Sequence, residues 1–332
     1  MNLTLPAGAF GATDPLFLLL AALAIEAYAG DILGRIPKLP HPRAPVVHAA
    51  NRLERRLNRP HRSQAGLMLR GGTLVSGLAL ASALVGVGAA ILTRHFPYLW
   101  LLELLLLIAM LGQRPAWRGA RSVSQALVRR DPIQARHELN ALAGDILDPD
   151  EIQHMGARQI GLAAVAGLGE RFASAVVAPA FWYVLLGLPG LFAQQAVRSV
   201  ATVIATSNRP GGGGYRRHAE GDFAFLAVRL DAALDWIPDK LAGVILAVAA
   251  VFIPSAHPIT AFRRLPRGHW WSIAAIGGAL HLAARRNASL SAAAAPDTNQ
   301  VNRAIALFAV GSLIHGGLLA GLLVLRQTGV AM

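Results

Sequence analysis

The chain is 332 residues long, 54% hydrophobic and 15% charged, and its apolar residues run in long blocks instead of recurring at the spacing of amphipathic helices, which excludes an ordinary soluble domain. A net charge of +13 would suggest a nucleic-acid partner in a soluble protein, but here the arginines flank apolar blocks, where they hold loops on the cytoplasmic side, and no nucleic acid is expected. Cysteine is absent, which excludes disulfides, thiolate metal sites and a cysteine nucleophile.

Pro15 to Ala29 is the first apolar stretch, interrupted by Glu26. It is short for a crossing of about 20 residues and is read as a membrane helix. The first basic residue is Arg35, so the stretch does not match a cleavable signal and is expected to be retained. Arg35 to Arg70 holds nine Lys/Arg against one acid, Glu54, and the prolines at 37, 40, 42 and 45 exclude helix from its start. It reads as a cytoplasmic loop.

Gly71 to Thr93 carries no charge over 23 residues, and after the tip Arg94, His95, Phe96, Pro97 a second apolar run extends from Tyr98 to Gly112. The two predict a transmembrane hairpin. Arg114, Arg118, Arg121, Arg129, Arg130 and Arg136 then return the chain to the cytoplasmic side. Asp145 to Glu151 is acidic and proline-broken, and supplies the first-turn acids of a helix beginning near Glu151.

Ile160 to Thr206 is apolar but carries Glu170, Arg171 and Arg198 and is broken by Pro179, Pro189 and several glycines. Charge and broken backbone at membrane depth belong where they line a polar cavity or pack inside protein, so this segment is where a site is sought. Glu170 can pair with Arg171 or with Arg198. Gly211 to Gly214, before Tyr215 and Arg216, lacks the Lys-Ser/Thr of a phosphate-binding loop and reads as a flexible connection.

Phe223 to Lys240 is amphipathic, with Arg229, Asp231, Asp235, Asp239 and Lys240 as a charged stripe that reads as a solvated face, and Leu241 to Ile253 continues it into a span. Trp270 to Ala284 is apolar and short, and Ser289 to Pro296 is an alanine-rich linker. Ala304 to Leu325 is the last span, with His315 inside it as a hydrogen-bonded core residue. The expectation is therefore all-α: one integral membrane domain over 1–332, a polytopic bundle of about five spans with broken or re-entrant segments and basic cytoplasmic loops near 31–70, 113–158 and 207–222.

Several landmarks occur in order: Gly30-Asp31; Pro40-His41-Pro42; Glu170 followed by Val176, Val177, Ala178, Pro179, Ala180, Phe181 and Trp182; then Arg229-Leu230-Asp231 and Asp235-Trp236-Ile237-Pro238. Over residues 20 to 285 this set resembles the adenosylcobinamide-phosphate synthase family (CobD/CbiB) of cobalamin biosynthesis. The resemblance implies a multi-pass protein of the bacterial inner membrane that joins an aminoalcohol phosphate to the carboxylate of adenosylcobyric acid in an amide bond, with Mg2+ and ATP. It also implies Glu170, Asp231, Asp145 and Asp235 as the catalytic carboxylates. Of these, Glu170 and Asp231 would hold the metal, and Asp31, His41, Arg171, Arg229 and Lys240 would bind substrate.

The chain departs from the family pattern at Arg171, Ser174, Ala175 and Ala232, and at the run Arg198, Ser199, Val200, Ala201 and Thr202, where the family carries Asn-Thr-Leu-Asp-Ser. These losses fall in polar motifs while the apolar frame is kept. The alternative they motivate is a non-catalytic membrane partner or signalling protein of the same fold. The partners expected are the corrinoid and aminoalcohol phosphate substrates, membrane lipid and, under the alternative, a membrane protein.

Overall fold

The computed structural model describes residues 14–34, 42–58, 63–96, 98–144, 147, 149–207, 222–265, 270–284, 290–291 and 298–328. These residues form an all-α bundle: α1 (Pro15–Gly34), α2 (Ala44–Leu57), α3 (Gln64–His95), α4 (Trp100–Met110), α5 (Gln113–Val128), α6 (Pro132–Ala143), α7 (Pro149–His154), α8 (Ala157–Arg171), α9 (Ala178–Ser207), α10 (Asp222–Ala249), α11 (Pro258–Arg264), α12 (Trp271–Ala279) and α13 (Thr298–Gln327). A π-helical segment, Phe172–Val177, joins α8 to α9, and a two-residue antiparallel ladder pairs Ala283 with Ser291 and Ala284 with Leu290.

Three stretches are helical, long and apolar enough to cross a membrane: Gln64–His95, Ala157–Ile204 and Asn299–Gln327, with Pro15–Tyr28 a shorter apolar helix. Their outer faces carry exposed Leu80, Leu84, Ile91, Leu185, Leu313 and Leu322, a surface suited to hydrocarbon and costly in water. The molecule is a helical membrane protein. Its interior is close-packed through small residues, as helices in lipid require. A Cβ on Gly71 would overlap the Phe223 carbonyl oxygen, so α3 and α10 meet backbone to backbone there.

Two expectations are revised. The run from Tyr98 to Gly112 does not return as a full-length leg: α4 has 11 residues, about 16 Å of axial rise, roughly half the hydrocarbon thickness. It ends where Gly112 N–H donates across to Ala175 O in the π segment at 3.0 Å, and its last carbonyl, Met110 O, accepts from Arg43 at 2.9 Å and Gln195 at 3.3 Å. The hairpin is a long helix followed by a short one. The basic stretches expected as loops are largely helical: 31–70 holds α2, with Pro45 in its first turn, and the start of α3, and 113–158 holds α5, α6 and α7, with Asp131 capping α6 by accepting from Ile133 and Gln134 N–H.

Two breaks, one in α9 and one in α10, shape the helices around the buried acids. At Gly187 the backbone takes φ 68°, ψ −154°, a region left to glycine, and Pro189 follows; the break lies against Gly86 of α3, which leaves room for Pro189 and the Leu188 carbonyl. In α10, Pro238 has no N–H to give to the carbonyl four residues earlier, that of Leu234. Trp182 of α9 donates its indole N–H to that same oxygen at 3.2 Å. The tryptophan and the proline, far apart in sequence, are one structural unit.

Candidate functional site

The acids of the charged stripe of α10 are not solvated, whereas Arg229 of the same stripe is exposed. Asp231, Asp235 and Asp239 recur every fourth residue, so they stack on one face of the helix, and that face turns inward: they are 4%, 7% and 6% exposed. These acids, expected to meet water, instead face α8, α9 and α12. Hydrophobic Trp236, Ile237 and Leu241 take the exposed side.

Each buried acid has a cationic or N–H partner. Asp239 accepts from Trp271 N–H at 2.7 Å, Ser272 N–H at 3.2 Å and the Ser272 hydroxyl at 2.5 Å, capping α12 from a neighbouring helix. Glu26 does the same for α5, accepting from Arg114 N–H at 2.9 Å. That contact explains Gly30 of the first landmark, whose Cβ would stand 3.1 Å from Arg114 Cβ and 3.2 Å from Glu26 Oε1.

Asp231 and Asp235 meet Glu170 at a single side chain, Arg198 of α9. Arg198 Nη2 donates to Glu170 Oε1 at 2.6 Å, and Nη1 donates to Asp231 Oδ2 at 3.2 Å and Asp235 Oδ2 at 3.0 Å. Glu170 is 2% exposed and Arg198 8%, so the cluster is withdrawn from solvent. Ser174, in the π segment, donates to Glu170 Oε2 at 3.5 Å. The wider turn there brings Ser174 under Glu170 and lets the Ala175 carbonyl leave the helix for Gly112. One turn before Arg198, Gln194 is buried with no partner for either amide atom among the described residues.

Of the residues expected at the site, the structure brings Glu170, Asp231 and Asp235 together. It resolves the pairing left open for Glu170 in favour of Arg198. Arg171 instead donates Nε to Leu142 O at 2.9 Å. Arg229 stands 5.1 Å over the Phe225 ring, and Lys240 Nζ lies 3.3 Å from the Trp236 ring centre and 5.5 Å from that of Trp271. Neither joins the acids through these contacts. His41 and Asp145 lie outside the described residues, and Asp31 is in α1 with its side chain outside them. His315 is buried, but its Nδ1 has no hydrogen-bond partner among the described residues, contrary to the bonded core histidine expected.

A hard divalent ion takes oxygen ligands around a centre about 2.0 to 2.6 Å away. Here the space among the three carboxylates is filled by a guanidinium, and among the described residues no group of three or more His, Asp or Glu side chains is placed to hold a metal ion. The acids on Arg198 do not fit Mg2+ while that side chain stands between them.

Fold and site together define a helical membrane protein with a buried cluster of three carboxylates on one arginine. The chain belongs to the CobD/Cbib protein family, whose model matches residues 19–306. It is 27% identical over 281 residues to the cobalamin biosynthesis protein CobD of Brucella anthropi, covering 81% of each chain, and 28% identical over 277 residues to that of Rhizobium meliloti, covering 80% of each. A probable cobalamin biosynthesis protein CobD of Methanothermobacter thermautotrophicus is 27% identical over 218 residues, 64% of this chain and 65% of that one. No solved structure matches the chain.

Proposed function

We propose that this protein acts in cobalamin biosynthesis as a multi-pass ligase of the bacterial inner membrane, joining an aminoalcohol phosphate to the free carboxylate of adenosylcobyric acid in an amide bond. The family match over most of the chain, with relatives named cobalamin biosynthesis protein CobD, carries the reading. A basic helix face supports a phosphate-bearing, polyanionic substrate. Along α2, His48, Arg52, Arg55 and Arg56 are exposed together, with Asn51 beside them. On the opposite side of that helix Ala50 is fully buried in the smaller core between α3, α9 and α10. Arginine suits phosphate through its planar fork of donors.

In this reading the basic face of α2 draws substrate to the cytoplasmic side. The resemblance implies ATP and Mg2+, which would supply activation of the carboxylate. The test is a ligation assay on the purified chain in detergent, with adenosylcobyric acid, aminopropanol phosphate or ethanolamine phosphate, ATP and magnesium, following the corrinoid by mass spectrometry. Product that falls at least about tenfold in Arg52→Glu/Arg55→Glu, with unfolding temperature unchanged, supports the reading. No product beside an active relative under the same conditions would discard it and leave a non-catalytic membrane partner.

A further inference from the structure

We propose that Arg198 is the resident cation of the buried acidic site: its guanidinium occupies the position among Glu170, Asp231 and Asp235 that a divalent ion would otherwise take, and the protein works with no divalent ion on these acids.

The geometry supplies the argument. Oxygen atoms from three carboxylates, on α8 and α10, lie 2.6, 3.2 and 3.0 Å from the terminal nitrogens of this one side chain. Three buried acids without a cation would repel one another and would each lose hydration, a state that side chains avoid by protonation or by binding a counter-ion. A guanidinium meets that need differently from a metal. It is always charged, it donates along a planar fork, and it is covalently part of α9, so it cannot dissociate.

The position is fixed on both sides along the helix. One turn on, Thr202 donates its hydroxyl to the Arg198 carbonyl at 2.8 Å, and Ser199 donates to Gln195 O at 2.7 Å. The protons of both hydroxyls stay within α9. The acids are also held from their own side, since the indole of Trp182 ties α9 to α10 at Leu234, between Asp231 and Asp235.

The inference is independent of the proposed reaction, and its test reads metal directly. The full-length chain, purified in detergent and stripped with EDTA, is titrated with Mn2+ and bound ion is followed by electron paramagnetic resonance. The wild-type chain is expected to show no bound Mn2+ that Asp231→Asn removes. Arg198→Ala is expected to gain a Mn2+ site at least about tenfold tighter than anything in wild type, lost again on adding Asp231→Asn, while Arg198→Lys, which keeps a cation, gains none. A tight Mn2+ site in wild type that disappears in Asp231→Asn overturns the proposal, as does a folded Arg198→Ala chain that takes up no Mn2+. Where Arg198→Ala does not fold, Arg198→Ala/Glu170→Gln/Asp235→Asn, with the surplus acids neutralised, is expected to recover folding; its failure to do so also counts against the proposal, and the wild-type titration stands by itself.

Discussion

Arg198 and the acids around it illustrate how burial changes the meaning of a charge. In water such pairs contribute little, whereas here removing one partner strands the others inside the bundle. Arg198→Met is therefore expected to cost at least about 3 to 5 kcal/mol of stability, and Arg198→Lys distinctly less, measured by unfolding in detergent. A loss below about 1 kcal/mol for the methionine variant would mean that the pairs do not form. The three acids were readable in the sequence as charges in an apolar frame. Their inward direction was not, because a four-residue repeat marks one face of a helix without saying which side it turns to solvent. The choice of Arg198 over Arg171 was equally hidden, since it depends on how α9 folds back past α8 across 28 residues.

Elements meet through backbone irregularities more than through regular faces. Pro238 and Trp182 were both visible as landmarks, yet their link through the Leu234 carbonyl needed the packing of α9 on α10. Trp182→Phe keeps an aromatic ring, though a smaller one, and removes the donor, so it is expected to cost about 1 to 3 kcal/mol, chiefly through a carbonyl left without its partner. If Trp182→Phe unfolds like wild type, the indole hydrogen bond contributes nothing. Gly187 makes a separate prediction: Gly187→Ala must bring a side chain into a φ of 68° and should cost about 1 to 3 kcal/mol, whereas Gly88→Ala, whose Cβ would meet nothing within 4 Å, should be neutral or stabilising by up to about 1 kcal/mol. Equal unfolding temperatures for the two variants would refute the strained break. Apolar runs predicted the long helices well, because hydropathy reports length directly. They overestimated the leg after Pro97, because a run of apolar residues does not reveal that the chain leaves the helix at Gly112 to bond with the π segment.

At the level of the whole molecule, orientation is the open physical quantity, and the distribution of arginine predicts it. The absence of cysteine makes it measurable, since any introduced thiol is the sole target of a maleimide. Single substitutions Arg52→Cys in α2 and Arg129→Cys after α5 are expected to be labelled by a membrane-impermeant reagent only in inside-out vesicles, and Tyr98→Cys, at the exposed tip before α4, only in right-side-out ones. The reverse pattern would invert the topology and put the basic face of α2 on the wrong side for cytoplasmic substrates. Class, family and the general run of helices were legible from composition and ordered landmarks. The site was legible only in its inventory, because its geometry is made where α8, α9 and α10 converge.

That convergence bears on how the protein is made. α10 has 28 residues, but it is not among the helices apolar enough to cross a membrane, and each buried aspartate raises its insertion cost by about 2.5 to 3.5 kcal/mol. Its natural counter-charge is Arg198, which precedes it in the chain and so is synthesised first. α10 is therefore expected to enter lipid as the second half of a pair, beside an arginine already in place, so that biogenesis of this bundle turns on the order of neighbouring helices as well as on the hydrophobicity of each. An Arg198→Ala chain that inserts α10 as fully as wild type would refute this.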